Sequence, residues 1–342
     1  VLLTFYPIFT LHHLLAHLSD NHLHPPSHFI PHHCDFARIV FWLTFFQIMI
    51  SPAFSRRLTR AEQDALWQRV SQQFALNPAD WFPLVLNDVP LGFLNQKWRE
   101  LLVQDWPQTR LQAYQNGLAL SADNWFSMGD QLQHIARTWC DLGLFDGWRN
   151  EQFDVCHQQK PLFSLERAAF RVFGLQSHAI HINGLTEHNG HWQLWIARRS
   201  PLKAVDPNKL DNLVGGGIAS GESAAVAMQR EGWEEAGLAE SLLQAQVCQS
   251  KHLSLRPVAR GLHRECLHIF DVVLEAGYQP ENQDGEVAKF QLMPLEDVVS
   301  ALQQGLFMND ALVTSLDLFH RHHLLDADHP LTQWLEQKKL PF

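Results

Sequence analysis

The chain has 342 residues and a formal net charge of −10, and this length is typical of about two domains. The acidic balance excludes a protein that coats nucleic acid, because such a protein shows a strongly basic face. A small anionic substrate is still compatible with this charge, since bound divalent cations reverse the sign of the local field.

The cysteines are odd in number, widely spaced and without a CxxC pair: Cys34, Cys140, Cys156, Cys248 and Cys266. Thiols stay reduced in the cytoplasm, whereas disulfide frameworks belong to oxidising compartments. The pattern therefore predicts a cytoplasmic protein with free thiols, and it favours neither a disulfide framework nor a zinc site.

The first part of the chain differs from the rest. Residues 1–48 contain no Met, Gly, Lys or Glu, and eight of the 21 histidines lie between His12 and His33. We interpret residues 1–55 as an atypical leader, either disordered or translated from upstream of a natural start near Met49. The apolar run Ile39–Ile50 is shorter than the roughly 20 residues of a membrane span, so no membrane partner is predicted. A tilted or interfacial helix is the alternative for this run.

Residues 56–175 are predicted to form a smaller α+β domain. The apolar spacing of residues 58–75 predicts a helix with Thr59 as its N-cap, and two apolar runs around Asn87–Asp88 predict a hairpin. Two more helices are expected near Trp98–Val103 and Trp125–Leu142. The many Trp and Phe residues read as core, and the segment offers no recognisable catalytic constellation.

Residues 176–342 alternate between strand and helix patterns. A hairpin is predicted over 178–200, with Asn189–Gly190 in its turn, and its four histidines are expected on a solvated sheet face: His178, His181, His188 and His191. A strand over 261–274, a strand and helix over 285–305, and a last helix capped by Asn309 or Asp310 follow. This order predicts an α/β fold, an α/β/α sandwich around a mixed sheet.

One stretch of this second region gathers carboxylates. Glu231, Glu234 and Glu235 share one face of a predicted helix, where they repel one another unless a cation lies among them. Carboxylate oxygens suit Mg²⁺, with Mn²⁺ as an alternative. Gly215–Gly217 are expected to form a tight loop that approaches the metal or ligand, and Glu222 lies at the helix entrance. We expect Val226, Trp233 and Ala236 to be buried on the opposite side, and Gly237 to follow the last turn.

The spacing of these residues resembles the Nudix box. Gly216 is followed after five residues by Glu222, and after seven more by Arg230-Glu231-x-x-Glu234-Glu235-x-Gly237-Leu238. The departure is Gly232, where the box has a bulky aliphatic residue; a glycine inside a helix costs about 1 kcal/mol relative to alanine. The resemblance implies hydrolysis of a diphosphate linked to another moiety. It also implies metal ligands and supporting residues: Glu231, Glu234, Glu235 and the Gly215 carbonyl as ligands, with Arg230 orienting Glu231 and Glu222 supporting the cluster.

From about residue 56 onwards the chain looks like the Nudix subfamily with an extra N-terminal domain of the DUF4743 type, on the stretches "SLERAAFRVFGL", "LWIARRS", "KLDNLVGGGIASGES" and "DGEVAKFQLMPLEDV". This resemblance implies thiamine diphosphate, or an oxidised or damaged analogue, as substrate. Cations just before the box could hold diphosphate oxygens together with Gly215 and Gly216: Arg198, Arg199, Lys203 and Lys209. Glu286 is a candidate base or extra ligand. The alternatives are a hydrolase of nucleoside diphosphate-linked substrates, such as ADP-ribose or nucleotide sugars, and a catalytically silent binding module.

Overall fold

The structure of the chain is a computed structural model that describes residues 54–203 and 205–342. The apolar run Ile39–Ile50 lies outside the described residues, and so does the predicted leader except for residues 54 and 55. None of the helices in the described ranges is long and apolar enough to cross a membrane.

The N-terminal part of the described chain combines a four-stranded sheet with helices. Thr59 and Glu62 form a reciprocal capping box at the first helix, as the predicted N-cap requires. Asn87 and Asp88 both have positive φ, 43° and 65°, in the predicted hairpin turn. The elements are α1 (Arg60–Gln73), β1 (Phe82–Leu86), β2 (Val89–Leu94), α2 (Gln96–Asp105), β3 (Leu111–Tyr114), β4 (Gly117–Leu120), α3 (Trp125–Asp141), the hairpin β5 (Gln152–His157) and β6 (Lys160–Glu166), and α4 (Arg167–Phe173). In the four-stranded sheet the strands have the order β2-β1-β4-β3.

Large aromatic side chains fill the core of this part, as predicted. Trp98, Trp106 and Trp139 are each about 1% exposed, and Trp98 stacks on Trp139 with ring centroids 5.2 Å apart. Phe170 and Phe173 extend this core from helix α4. Most aromatic residues of this segment are therefore committed to packing.

The second part is built on a seven-stranded mixed sheet. Its strands are β7 (Ser177–His188), β8 (His191–Arg199), β9 (Leu210–Asp211), β10 (Val214–Gly217), β11 (Ser250–Val258), β12 (Gly261–Val273) and β13 (Val287–Pro294). The strand order is β11-β12-β7-β8-β13, and in addition β10 pairs with β7 and β9 pairs with β8. Strands β7 and β12 run parallel to each other, and the other pairs are antiparallel.

Alternate residues of the central strands pack against different helix layers. Leu267 and Ile269 lie in one apolar cluster with the C-terminal helices, while Phe270 and Val272 lie in another with the helices after β10. Because neighbouring residues of a strand point to opposite faces, the sheet is covered on both sides. The helices are α5 (Ala224–Ala236) and α6 (Glu240–Gln244) on one face, and α7 (Leu295–Gln303), α8 (Asn309–Arg321) and α9 (Pro330–Lys338) on the other. The predicted α/β/α sandwich is confirmed.

Two details of the C-terminal helices differ from prediction. Neither Asn309 nor Asp310 caps α8: the N-cap residue is Met308, without a side-chain hydrogen bond, and Asp310 is 3% exposed inside the first turn. Asp310 instead accepts hydrogen bonds from Ser254, at 2.6 Å, and from buried His263, at 3.0 Å. Helix α9 was not predicted; it begins with a proline in its first turn, where the missing N–H costs nothing.

The boundary predicted between residues 175 and 176 stays a prediction. Helix α1 precedes it in the chain, yet α1 packs against α7 and α9. Leu66 and Val70 are fully buried in the same apolar cluster as Val298 and Leu335. The first helix of the N-terminal segment therefore completes the core of the C-terminal one.

Candidate active site

Helix α5 carries the acidic residues of the predicted box. Ser223 caps its N-terminus by accepting a hydrogen bond from the Val226 amide at 3.2 Å. Gly237 ends it in the left-handed conformation with φ 63°, as predicted. Both helix ends are thus fixed by local sequence, which sets the direction of the carboxylates between them.

The buried face of α5 is only partly the one predicted. Ala236 is buried, but Val226 is 52% and Trp233 58% exposed, so the prediction for these two residues is wrong. Helix α5 packs closely against the sheet, and this close packing favours small side chains over bulky ones on the face that meets the sheet. Its apolar part consists of Ala227, Met228, Gly232 and Ala236.

Close packing also accounts for Gly232. A Cβ at this position would lie 2.9 and 3.0 Å from the two methyl groups of Leu243 and 3.4 Å from Ile182 Cδ1. Leu243 of α6 thus fills the volume that a bulky aliphatic residue has in the box. The neighbouring helix therefore compensates for the departure from the box.

The three glycines before α5 form strand β10 rather than the predicted loop. Gly216 pairs with Ile180 of β7, and the carboxylate of Glu231 lies directly over it. A Cβ on Gly216 would be 2.0 Å from Glu231 Cδ. Glycine is required here by the close approach of a catalytic-site candidate to the strand.

Arg230 ties three of the four box glutamates together. Its Nε and Nη2 donate to the two oxygens of Glu222 at 2.7 and 2.8 Å, and its Nη1 donates to Glu231 at 2.7 Å and Glu234 at 3.1 Å. The hydrogen bonds from Arg230 lower the pKa of Glu222. Burial raises the pKa of Glu231, and Arg230 offsets this only in part. The geometry suits the orienting and supporting roles expected of Arg230 and Glu222.

Glu235 is the most buried carboxylate of the cluster, 4% exposed. The Gly215 amide donates to its Oε2 at 2.9 Å, and Lys203 Nζ donates to its Oε1 at 3.2 Å. Lys203 also donates to Glu286. Burial raises the pKa of Glu235 to about 8 despite the nearby ammonium group. The charged form of this carboxylate therefore needs more positive charge than Lys203 alone supplies.

Two of the four cations predicted to hold the substrate line the same cavity as these glutamates, Arg199 and Lys203. Arg199 is 9% exposed and is engaged by Asp211 at 2.8 Å. Arg198 and Lys209 lie outside that cavity: they donate to the backbone carbonyls of Asn208 and Gly305. Of these four cations, Lys203 is the one that donates a hydrogen bond to a glutamate of α5.

The four histidines of the β7–β8 hairpin fall into different environments. His188 and His191 are exposed at its turn, as predicted. His181 is 3% exposed and contacts Asn212 Oδ1 at 3.0 Å, so a solvated position is wrong for this residue. His178 is half-buried and faces His268.

Two glutamates of α5, Glu231 and Glu234, face a cavity of about 380 Å³, whereas the buried Glu235 is not part of its wall. Glu231 and Glu234 line it together with strand β10, Arg230, Lys203 and Glu286. Another part of its wall comes from the N-terminal segment: Arg149, Glu151, Phe153, Arg167, Phe170 and Arg171. The predicted site residues therefore form only part of the cavity wall.

The N-terminal segment also fixes the loop between β10 and α5. Asp154 of β5 accepts hydrogen bonds from Ser220 Oγ at 2.6 Å and from the Gly221 amide at 2.9 Å. The Ser220 amide in turn donates to the Gln152 carbonyl at 2.8 Å. A segment in which the sequence reveals no catalytic pattern therefore positions the entrance of helix α5.

Arg171 lines the cavity from helix α4. Within residues 54–203 and 205–342, its guanidinium has no hydrogen bond or ion pair; burial lowers its pKa, and the nearby carboxylates of Glu265 and Asp310 offset this only in part. Arg167, by contrast, is held by Glu151 at 2.6 Å. Sequence patterns did not single out either arginine, because nothing in α4 itself shows that it faces the distant box. Both arginines do lie in "SLERAAFRVFGL", one of the stretches on which the subfamily resemblance rests.

Comparison with known proteins agrees with this site. Residues 178–313 match the family model of the NUDIX domain. "Nudix hydrolase 24, chloroplastic" of Arabidopsis thaliana is 34% identical over 201 residues, which cover 58% of this chain and 55% of the relative. "Nudix hydrolase 20, chloroplastic" of the same organism is 27% identical over 256 residues, covering 71% and 68%. The chain thus spans between about half and two thirds of the length of these relatives.

A solved structure, DR0079 from Deinococcus radiodurans, is 22% identical with a TM-score of 0.37, and the match covers 51% of this chain and 99% of that one. Residues 178–313 thus resemble a NUDIX domain, and Nudix hydrolases are among the relatives of the chain. The predicted resemblance to Nudix hydrolases is confirmed, and the activity of the whole protein stays a prediction.

Proposed function

We propose that the chain is a divalent-metal-dependent hydrolase that cleaves a diphosphate linkage in a small molecule. The observation that carries this proposal is the set of closely spaced carboxylates on α5: Glu231 and Glu234 line the cavity, and burial raises the pKa of Glu231 and of Glu235. A silent binding module does not need such a set, because uncompensated buried carboxylates lower stability.

The donor set fits a hard divalent cation. Glu231, Glu234 and Glu235, with the Gly215 carbonyl, would hold Mg²⁺, and Mn²⁺ is the alternative. Burial raises the pKa of both Glu231 and Glu235, so a bound cation would stabilise their ionised forms. When bound, the cation polarises the diphosphate oxygens and makes a bound water more acidic.

Residues around the site position its carboxylates and supply the charges that substrate binding and proton transfer need. The Glu222–Arg230 pair fixes the carboxylate of Glu231 over Gly216. Lys203 lies where it can bind a phosphate oxygen once its contacts with Glu235 and Glu286 loosen. Burial raises the pKa of Glu286, but Lys203 outweighs it, so Glu286 is ionised at neutral pH and able to accept a proton. We propose it as the base.

The substrate beyond the diphosphate is proposed on two grounds. Resemblance to the DUF4743-type subfamily favours thiamine diphosphate, or an oxidised or damaged analogue, hydrolysed to the monophosphate. The second candidate is a nucleoside diphosphate-linked molecule, such as ADP-ribose or a nucleotide sugar. Arg171 favours this second candidate, because a guanidinium that has no hydrogen bond or ion pair within the described residues suits a further anionic group, which the cationic thiamine ring system lacks.

A substrate panel tests the proposal. Thiamine diphosphate, oxothiamine diphosphate, ADP-ribose and a nucleotide sugar are incubated with the full chain and Mg²⁺, and phosphate and monophosphate products are quantified. Turnover of any diphosphate that stops with EDTA supports the reaction, and faster turnover of ADP-ribose than of oxothiamine diphosphate rejects the thiamine assignment. Absence of turnover across the panel, with Mg²⁺ and Mn²⁺ alike, would favour the binding module.

Arg171→Ala separates the two substrate classes. Loss of about 10-fold or more in kcat/KM for a nucleoside diphosphate-linked substrate is expected if Arg171 contacts it, the size of one charge-assisted hydrogen bond. Arg137→Ala, which changes an exposed arginine of α3, is the matched control.

A cytoplasmic location and the lack of nucleic-acid and membrane partners stay predictions; the two plant relatives carry "chloroplastic" in their names.

A further inference from the structure

Three potential metal ligands meet outside the cavity, where β7 and β12 run side by side. Cys266 and His268 lie two residues apart on β12, so their side chains share one face of the sheet. The parallel register sets Cys266 beside His178 of β7. Cys266 is 3% exposed, while both histidines are partly exposed. By strand alternation the three share the sheet face of Ile180 and Phe270, which pack in the apolar cluster of α5 and α6, and none of the three lines the cavity described above.

Two of the three distances between their ligand atoms match the edges of a tetrahedral zinc site. His178 Nδ1 lies 3.2 Å from His268 Nε2, and Cys266 Sγ lies 3.6 Å from the same nitrogen. Zinc bonds of roughly 2.0–2.1 Å to nitrogen and 2.3 Å to sulfur place tetrahedral ligands about 3.3–3.4 Å apart for two nitrogens and about 3.5–3.6 Å apart for nitrogen and sulfur. All three ligand atoms lie within 4.8 Å of one another.

We propose that His178, Cys266 and His268 bind a zinc ion through Nδ1, Sγ and Nε2, with the fourth position left to water. Two imidazoles and a thiolate are ligands that zinc prefers over Mg²⁺ or Ca²⁺, so this site and the carboxylate site select different metals. The cysteine pattern along the chain does not reveal the set, because its members come together only through the pairing of β12 with β7.

The two imidazoles are in the protonation state that binds metal, whereas the thiol has to lose a proton. Burial lowers the pKa of His268 to about 3, with further contributions from His178 and from Lys251 of the adjacent strand, and burial also lowers the pKa of His178. Both rings are therefore neutral at pH 7, the form that binds zinc. Burial raises the pKa of the Cys266 thiol to about 12. Binding Zn²⁺ thus converts the thiol to a thiolate and releases one proton to solvent.

A second convergent cluster, His263, Glu265 and Asp310, shows why the first is singled out. Its carboxylates already have protein partners: Asp310 accepts from His263 and from Ser254, and Glu265 accepts from Ser177 Oγ at 2.7 Å. That cluster is a satisfied buried hydrogen-bond network. Within the part of the chain that the structure describes, the side-chain hydrogen bonds of Cys266, His178 and His268 are those among the three residues themselves.

Cobalt substitution tests the site. The full chain is stripped of metal and titrated with Co²⁺, and thiolate-to-cobalt charge-transfer absorption is recorded together with proton release. The expected result is one equivalent of tetrahedral cobalt, displaced by one equivalent of Zn²⁺, with about one proton released per metal. Absence of the charge-transfer band in the folded wild-type chain overturns the proposal.

Variants assign the ligands. Cys266→Ser and His178→Gln should each weaken zinc binding by at least about 100-fold, since even outer-shell changes cost about 10–100-fold. Cys140→Ser, in the N-terminal core, is the control and should keep the band. If Cys266→Ser does not fold, His178→Gln at the partly exposed position decides; an unchanged zinc affinity in that variant contradicts the site. Glu235→Gln should keep the cobalt band, which separates this proposal from the catalytic one.

Discussion

Gly216→Ala should remove activity while leaving the fold intact. The new Cβ would lie 2.0 Å from Glu231 Cδ and 2.3 and 2.4 Å from its two oxygens. Ordinary contacts between such atoms begin at about 3.4 Å, so the carboxylate has to move by roughly 1.4 Å or rotate away. Gly216 does not have positive φ, so alanine brings no backbone strain.

The displaced atoms are the end of a flexible side chain, which limits the effect on folding. We expect the free energy of unfolding to fall by about 1 kcal/mol or less, the value of one net hydrogen bond to Arg230. A misplacement of about 1 Å in a catalytic group costs about 10²-fold in rate. We therefore expect kcat to fall by about 10²-fold with an almost unchanged Tm.

The assay compares initial rates of product release at saturating Mg²⁺ with thermal unfolding of the same samples. Gly190→Ala is the opposite control: its φ of 79° disfavours alanine, yet it lies in an exposed hairpin turn, so it should lower Tm and spare kcat. A Gly216→Ala variant with wild-type kcat would refute the position of Glu231 over β10. A variant that unfolds would refute the view that only a side chain has to move.

Three further changes probe the site and its support. Glu235→Gln should lower kcat by at least about 10²-fold, a loss typical of an electrostatic catalytic group, and a near-wild-type rate contradicts its assignment as a metal ligand. Gly232→Leu, measured by urea unfolding, should lower stability by about 1–3 kcal/mol because Leu243 fills the space; unchanged stability contradicts this packing. Asp317→Asn should abolish the acid sensitivity of its network. Burial alone would raise the pKa of Asp317, but His252 and other donors lower it from 3.8 to about 2, so its stabilising contribution of about 2 kcal/mol is complete above pH 4 and lost as pH falls towards 2. A wild-type stability profile between pH 2 and 4 that matches Asp317→Asn refutes this.

Local patterns predicted much of this molecule. The capping box at Thr59, the hairpin at Asn87–Asp88 and the end of α5 at Gly237 were all predicted, because each depends on residues a few positions apart. The helical spacing of Glu231 and Glu234 likewise placed them on one face of α5. Short-range geometry is encoded directly in the order of residues.

Contacts between distant segments account for what the sequence did not reveal. Burial of Val226 was predicted from helical spacing alone, which cannot show which side of α5 meets the sheet. Gly232 was unexplained until Leu243 of the next helix was found against it. Arg171 reaches the cavity through the docking of α4 near β12, and no pattern within α4 indicates that docking.

The N-terminal segment has a practical consequence for dissecting this protein into fragments. A fragment limited to residues 176–342 would contain every glutamate of the box, yet it would lack Asp154, which holds Ser220 and Gly221 before the catalytic helix. It would also lack α1, leaving the apolar surfaces of α7 and α9 open to water. A fragment limited to residues 176–342 would thus be prone to aggregation, and the loop before α5 would lose the hydrogen bonds that hold it. A soluble, informative fragment has to begin before Leu58.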